Sequence, residues 1–266
     1  MNQAQNMIYF KKRPLSICEV RMKKLEELLE QQHFSTFRQA IAPLGGDESV
    51  QQSAVGYELL NRPHSSSEFS NAETFYSFAA MHGRSSDVDI RVIEFGLHRY
   101  TAEQPHAWKS GEEPLLFVNA HLSTLFSADW ERSLHSWPVP HQFIVLELSE
   151  REGLASYTKE MVKQKVGQLQ QSGIKIAVDD LGMGYSGLYT LAIVRPEYVK
   201  IDRQLVSHIQ TDPYRQHMMH SLIDYWNREG VTVIAEGIET ADEARFFVEA
   251  GAALGQGYLF HRPEAV

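Results

Sequence analysis

The acids and amides of this chain recur at one kind of place, directly after a short apolar run. Ser-Ala-Val-Gly-Tyr leads to Glu58, Leu-Leu-Phe-Val to Asn119, and Phe-Ile-Val-Leu to Glu147. Ile-Lys-Ile-Ala-Val leads to Asp179 and Asp180, and Tyr-Val to Lys200, Ile201 and Asp202. Val-Thr-Val-Ile-Ala leads to Glu236, and a last short run to Gln256. A lone acid of this kind is usually a helix cap or a solvated loop charge. Here the pattern repeats over seven runs and collects six carboxylates and two amides. If the runs are parallel strands of a barrel, their C-terminal ends converge on one face. So many like charges cannot all stay ionised together without a cation. Oxygen ligands without His or Cys suit a hard cation, Mg²⁺ or Mn²⁺, and two adjacent Asp residues suit a bridged metal pair. The chemistry indicated is a metal-assisted reaction on a phosphate-like substrate.

Other chemistries lack their residues. The twelve His match no HExxH-like spacing, and there is no Walker-type loop or GxGxxG. Gly182-Met183-Gly184 is a weak glycine pair. The single cysteine, Cys18, excludes an internal disulfide framework or a thiolate cluster. A net charge of −9 argues against binding a DNA or RNA polymer. No apolar run is long enough to span a bilayer, and no apolar stretch follows Lys11, Lys12 and Arg13 to make a secretory signal. The expectation is a soluble, cytoplasmic protein without membrane insertion.

The elements that must position these side chains alternate. Strand-like runs are expected at Phe34–Ala42, Ser53–Leu60, Leu115–Asn119, Phe143–Leu148, Ile174–Asp179, Tyr198–Ile201, Val231–Ala235 and Ala252–Leu254. Helices are expected from Ile17 to about Gln32, and at Arg151–Gln171, Asp212–Glu229 and Ala241–Ala250. Polar loops are expected at His64–Ser70 and Gln104–Pro114. Alternation of strand and helix means parallel pairing, and eight strands in 266 residues suggest closure. A short turn joins the first two strands, so that pair should be antiparallel. The expected fold is α/β, a modified TIM (β/α)8 barrel with one antiparallel strand near the N-terminus. Residues 1–16 read as an N-terminal tail and 17–266 as one domain.

From about Ile17 to Pro263 the chain resembles the EAL phosphodiesterase family. The naming motif reads Glu58-Leu59-Leu60-Asn61-Arg62. Phe117-Val118-Asn119 is similar to the family's Asn strand, and Leu146-Glu147-Leu148-Ser149-Glu150 to its Glu-Leu-Thr-Glu segment. The run from Asp179 to Ser186 resembles DDFGTGYS, and Lys200 to Arg203 matches KIDR. Val233 to Thr240 resembles VIAEGVET, and Leu254 to Phe260 matches LGQGYLF. Gly45-Gly46-Asp47-Glu48-Ser49 looks like the GGDEF signature of diguanylate cyclases, but none of that domain's other elements is present; it reads as turn chemistry.

The resemblance implies hydrolysis of cyclic di-GMP to linear 5′-pGpG by water activated between two divalent cations, Mg²⁺ or Mn²⁺. It implies Glu58, Asn119, Glu147, Asp179 and Asp180 as metal ligands, with Asp179 bridging. It makes Lys200 and Glu236 catalytic, and Arg62, Leu60, Asp202, Glu239 and Gln256 substrate-binding or site-orienting. Glu150 would pin a regulatory loop containing Gly182 and Gly184, which the family couples to a homodimer interface. The chain departs from the pattern at Leu59 for Ala, Leu181 for Phe, Met183 for Thr, and Pro63 where Trp is common. Leu59 should point away from the ligand face and be tolerated. The usual final helix should be short or absent. The alternative is a catalytically weak or inactive EAL domain acting as a cyclic di-GMP receptor or protein-interaction module.

Overall fold

Side chains of a strand alternate between its two faces, and in this chain that alternation builds both the core and the polar face above it. The computed structural model describes residues 16–45, 54–66, 68–104, 113–149, 157–181 and 187–266. The strands are β1 (Phe34–Pro43), β2 (Gly56–Pro63), β3 (Leu115–Ala120), β4 (Ile144–Ser149), β5 (Lys175–Leu181), β6 (Tyr198–Ile201), β7 (Thr232–Ala235) and β8 (Leu254–Gly255). They pair in the order β2 to β8, and β1 closes the ring between β8 and β2. Every pairing from β2 to β8 is parallel. β1 runs antiparallel to both its barrel neighbours. A short β9 (Glu264–Ala265) adds to β1 from outside the ring. The expected modified barrel and its odd strand are both present.

Parallel strands need crossovers, and helices supply them. They are α1 (Ile17–Glu30), α2 (Ala72–Met81), α3 (Ser85–Glu103), α4 (Trp130–Ser136), α5 (Lys159–Gln171), α6 (Gly187–Val194), α7 (Arg203–Val206), α8 (Pro213–Arg228) and α9 (Ala241–Ala250). α1 starts with a capping box, in which Ser16 and Glu19 satisfy each other's backbone N–H. Its Leu25, Leu28 and Leu29 pack with Phe34, Phe69 and Phe75, as its periodicity predicts. α5 begins at Lys159, capped by Thr158, later than the expected Arg151; residues 151–156 lie outside the described ones. α2 and α3 were not anticipated, nor were the shorter α4, α6 and α7. α3 buries Val88, Ile90, Val92, Ile93 and Leu97 over most of its girth, so its stripe is too broad to read as amphipathic. Among the described residues no helix is long and apolar enough to cross a membrane.

Inside the barrel, Ile41, Phe117, Val145, Ala177, Ile234 and Leu254 form one apolar layer. Two residues further along the same faces stand Asn119, Glu147, Asp179, Glu236 and Gln256, and Lys200 follows Tyr198 in the same way. On antiparallel β1 the count runs backwards, from Ile41 to Gln39. Gly56 lies two residues before Glu58 on β2; a Cβ there would come 2.5 Å from the Leu115 carbonyl oxygen and 3.0 Å from the Phe117 ring, so glycine lets β3 and its aromatic filler approach. The residues between them point outward. Leu59 is buried with Ile90, Ile93, Leu97, Leu116 and Val118.

Leu59 therefore turns away from the face that carries Glu58, as expected, but it is a core residue, and it also lines a cavity that Asn119 and Asp180 reach. Leu59→Ala is expected to cost about 2–5 kcal/mol of stability, the usual range for truncating a buried leucine, while turnover by the folded variant stays within a few-fold. Denaturant melts alongside turnover assays check this; a large loss of turnover without loss of stability would contradict it.

Candidate active site

The centre of the polar layer is an ammonium group. Lys200 is wholly buried at the middle of β6. Its Nζ lies 2.5 Å from Glu147 Oε1, 2.6 Å from Glu236 Oε1, 3.5 Å from Glu58 Oε2 and 3.6 Å from Asp179 Oδ1. These carboxylates come from β4, the end of β7, β2 and β5, so the closed barrel alone brings them together. Asn119 donates to Glu58 Oε1 at 3.0 Å and Gln256 to Glu58 Oε2 at 2.6 Å. Asp179 Oδ1 accepts the N–H of Asp180 at 2.8 Å. Asp180 has φ +56, where β5 slips register between Val178 and Leu181. Asp tolerates that left-handed backbone better than most residues, and the bulge re-aims its carboxylate.

Four carboxylates around one ammonium leave a surplus of negative charge. Burial lowers the Lys200 pKa, but Asp179, Glu147, Glu236 and Glu58 outweigh it and hold the group well above the usual lysine range, hence charged. Burial pushes Glu58 up; Lys200, Gln256 and Asn119 overcome it and keep this carboxyl below its ordinary value. Burial raises Glu147 and Glu236 well above the carboxylate range; Lys200 opposes this, and the neighbouring acids reinforce it. The close Lys200–Glu147 approach is an ion pair by distance, yet neither oxygen of Glu147 has a partner in hydrogen-bond geometry. The contact is thus one of charge, without a directional bond. Among the described residues no three His, Cys, Asp or Glu side chains form a ready cation cage; the Lys200 ammonium stands where the carboxylates converge. The donors still fit a divalent ion: all are oxygens, their charge exceeds what Lys200 offsets, and the oxygens of Glu147 lack bonded partners.

The remaining expected residues flank this cluster. A cavity of about 230 Å³ is lined by Glu58, Glu236 and Gln256, with Leu60, Asp202 and Glu239 around it. Asp202 also caps α7 through the N–H of Gln204 at 2.7 Å, and Glu239 pairs with Arg203 at 2.8 Å. A second cavity, about 440 Å³, touches Leu60, Arg62, Asn119 and Asp180. The Arg62 guanidinium lies over the Phe37 ring, 4.7 Å from its centroid. Leu60 thus borders both cavities. A larger cavity, about 720 Å³, lies over Phe37, Arg62 and His64 and touches none of the carboxylates around Lys200; charge, rather than size, locates the site. Glu150, Gly182 and Gly184 lie outside the described residues, as do Gly46 to Ser49 of the GGDEF-like run.

Sequence reasoning missed Gln39, Arg203 and Tyr258, which line the smaller cavity. Gln39 was visible as the polar position two residues from Ile41 on β1, directly opposite Glu58 in register. Arg203 follows the Lys-Ile-Asp run and Tyr258 follows Gln256-Gly257. Both positions were on the page but only the tertiary structure turns them to the cavity.

Comparison with known proteins adds an independent line. A family model described as the EAL domain matches residues 22–263. The probable cyclic di-GMP phosphodiesterase PdeN of Escherichia coli K12 is 35% identical over 141 residues, 53% of this chain and 27% of that protein. The cyclic di-GMP phosphodiesterase PdeF of the same organism is 25% identical over 248 residues, 91% of this chain and 32% of that protein. The chain spans about a quarter to a third of the length of these curated relatives. Among solved structures, EAL enzyme Bd1971 in a form bound to cAMP and cyclic-di-GMP superposes with a TM-score of 0.77 at 25% identity, covering 92% of this chain and 66% of that one.

The charge surplus sets a pH dependence. Glu147 and Glu236 have raised values in the folded protein, so the stability they contribute without metal is present below about 4.5 and is lost as pH rises through those values. In chelator, the unfolding midpoint should therefore fall as pH is raised from about 4.5 through those raised values. Glu147→Gln should raise the midpoint at pH 8 by roughly 2–4 °C, the shift that about 1 kcal/mol makes in a domain of this size. Scanning fluorimetry in chelator checks both; a lower midpoint for Glu147→Gln at pH 8 would show that Lys200 alone balances the cluster.

Proposed function

The chain belongs to the EAL domain family, and from that premise we propose that it hydrolyses cyclic di-GMP to linear 5′-pGpG in a reaction that needs two divalent cations. The observation that carries this reading is the ring of Glu58, Glu147, Asp179 and Glu236 around Lys200, with Asn119 and Gln256 bonded to Glu58. Glu58, Asn119, Glu147, Asp179 and Asp180 are the residues that would hold Mg²⁺ or Mn²⁺. When bound, such ions supply charge neutralisation and lower the pKa of a coordinated water.

The chain's own side chains do the rest. Water attacks the phosphorus in line and the 3′ oxygen leaves, so one proton must be taken from the water and one delivered to the leaving oxygen. Glu236 is the acceptor at a carboxylate oxygen: burial and the neighbouring acids raise its affinity for a proton above that of an ordinary carboxylate. Lys200 stays protonated and places its ammonium beside the charge that grows on the phosphoryl oxygens. Arg62 suits a second phosphate, since its planar fork matches two oxygens and the Phe37 face keeps it extended. Leu60 forms the apolar ridge between the two cavities, with Asp202, Glu239 and Gln256 on one side. Glu150, Gly182 and Gly184 belong to the proposed link from site to homodimer. The reading is of a cytoplasmic enzyme acting on a small second messenger, with no DNA or RNA polymer as partner.

The experiment is hydrolysis of cyclic di-GMP by purified protein with Mg²⁺ or Mn²⁺, against a chelator control. Metal-dependent linear pGpG is the expected product. Glu58→Ala should abolish turnover, and Glu236→Gln should lower kcat about 10²–10⁴-fold, the range for losing a general base, with substrate binding retained. Tight binding of the intact ligand without product would make the chain a receptor. Wild-type turnover by folded Glu58→Ala would overturn the site.

A further inference from the structure

Buried amides have two orientations, and in this site one is selected from outside. Gln39 Nε2 donates to the backbone carbonyl of His261 at 3.0 Å. A backbone carbonyl only accepts, so a reversed Gln39 would set oxygen against oxygen. Gln39 must therefore turn its Oε1 toward Gln256, whose Nε2 donates to it at 3.1 Å. The same Nε2 donates to Glu58 Oε2 at 2.6 Å. A reversed Gln256 would face both Gln39 Oε1 and a carboxylate oxygen with its own carbonyl. Both hydrogens of the Gln256 NH₂ group are thus used, and its orientation follows from the His261 carbonyl through Gln39. Its Oε1 is buried and without a hydrogen-bond partner among the described residues. An acceptor left in this way is costly unless something donates to it. Gln39 and Gln256 both line the 230 Å³ cavity with Glu58 and Glu236.

We infer that Gln39 is a positioning residue that locks the Gln256 amide, so that its NH₂ is committed to Gln39 and Glu58 and its carbonyl oxygen is the group left to receive a donor beside the cavity. The chemical class received there is a hydroxyl donor: a water, or a hydroxyl of the substrate. The distinction matters for a hydrolase. An acceptor holds a water by its hydrogen and leaves a lone pair to attack, whereas an NH₂ donor would occupy that lone pair. The lock also commits an N–H to Glu58, favouring its charged form. For turnover this rests on the hydrolase reading above; the amide lock itself does not.

The test is a double-mutant cycle with Gln39→Met and Gln256→Met, both close in size and unable to make these bonds. On kcat/KM for cyclic di-GMP, Gln39→Met should lose about tenfold, the scale of one hydrogen bond. Gln256→Met should lose at least as much, and the double variant should lose no more than Gln256→Met alone. Multiplying losses, or an unaffected Gln39→Met, would overturn the inference. A second readout needs no turnover. In ¹⁵N-glutamine-labelled protein, the Gln256 NH₂ signals, identified by their absence in Gln256→Met, should both exchange slowly with solvent. In Gln39→Met one of them should exchange fast. Fast exchange of either in the wild type overturns the lock, even if Gln39→Met does not fold. Slow exchange in a protein that releases no pGpG would leave the lock standing and remove only the hydrolase reading.

Discussion

The Lys200 ammonium is a single positive charge in the midst of four carboxylates, three buried and Glu236 half-buried, and much of the structure follows from that imbalance. An isolated buried lysine would shed its proton, and an isolated buried acid would take one up. Here each group changes the other's preference: Lys200 is held charged, Glu58 is held charged, and Glu147 and Glu236 are left wanting protons. A site of this kind costs stability on its own account, and a bound cation would offset that cost. That is the usual relation of function to fold, with strain collected where the chemistry happens and supported by a well-packed remainder.

The remainder is a barrel of two layers. The lower layer, from Ile41 round to Leu254, is apolar and close-packed. The upper layer is polar, because the next inward position on each strand lies two residues further on. The same strands turn their other faces to the helices, where Leu59, Leu116, Val118, Leu146 and Val178 make the outer core. Neither layer can shift without the other, so packing below sets the distances between charges above. The one antiparallel strand fits this scheme: β1 runs backwards, and the inward side chain it sends to the polar layer is Gln39, level with Glu58 on its neighbour.

Polar groups at the rim are fastened by a second set of bonds. Glu243, buried in the first turn of α9, accepts N–H bonds from His208, Glu239 and Thr240 at 2.9–3.0 Å. It ties the segment between Glu236 and α9 to the start of the helix and so fixes Glu239 beside Arg203. Within that segment Gly237 has φ +65, and a Cβ there would meet the Arg203 side chain within 2.6–2.9 Å. Glycine is needed at this turn for both backbone and space.

The sequence by itself determined the order of the strands, four of the helices, the antiparallel first pair, and the polar residues that follow the strands. It could do so because alternation and capping are local: Asp212 before Pro213 and Thr240 before Ala241 start helices wherever they occur. It also carried the family motifs from Glu58 to Gln256. It did not reveal α3, whose apolar surface is too wide for a clear period, nor α2, although that helix buries a regular stripe of Phe75, Phe78 and Ala79, nor that Leu59 is a core residue. Only the tertiary structure decided that Lys200 stands among the acids rather than beside them, that Leu60 borders two cavities, and that Gln39 holds Gln256. Each of these depends on closure of the ring, which brings residues 39, 58, 200 and 256 into contact. Such contacts are set by register and distance across the barrel, and no local pattern along the chain encodes them.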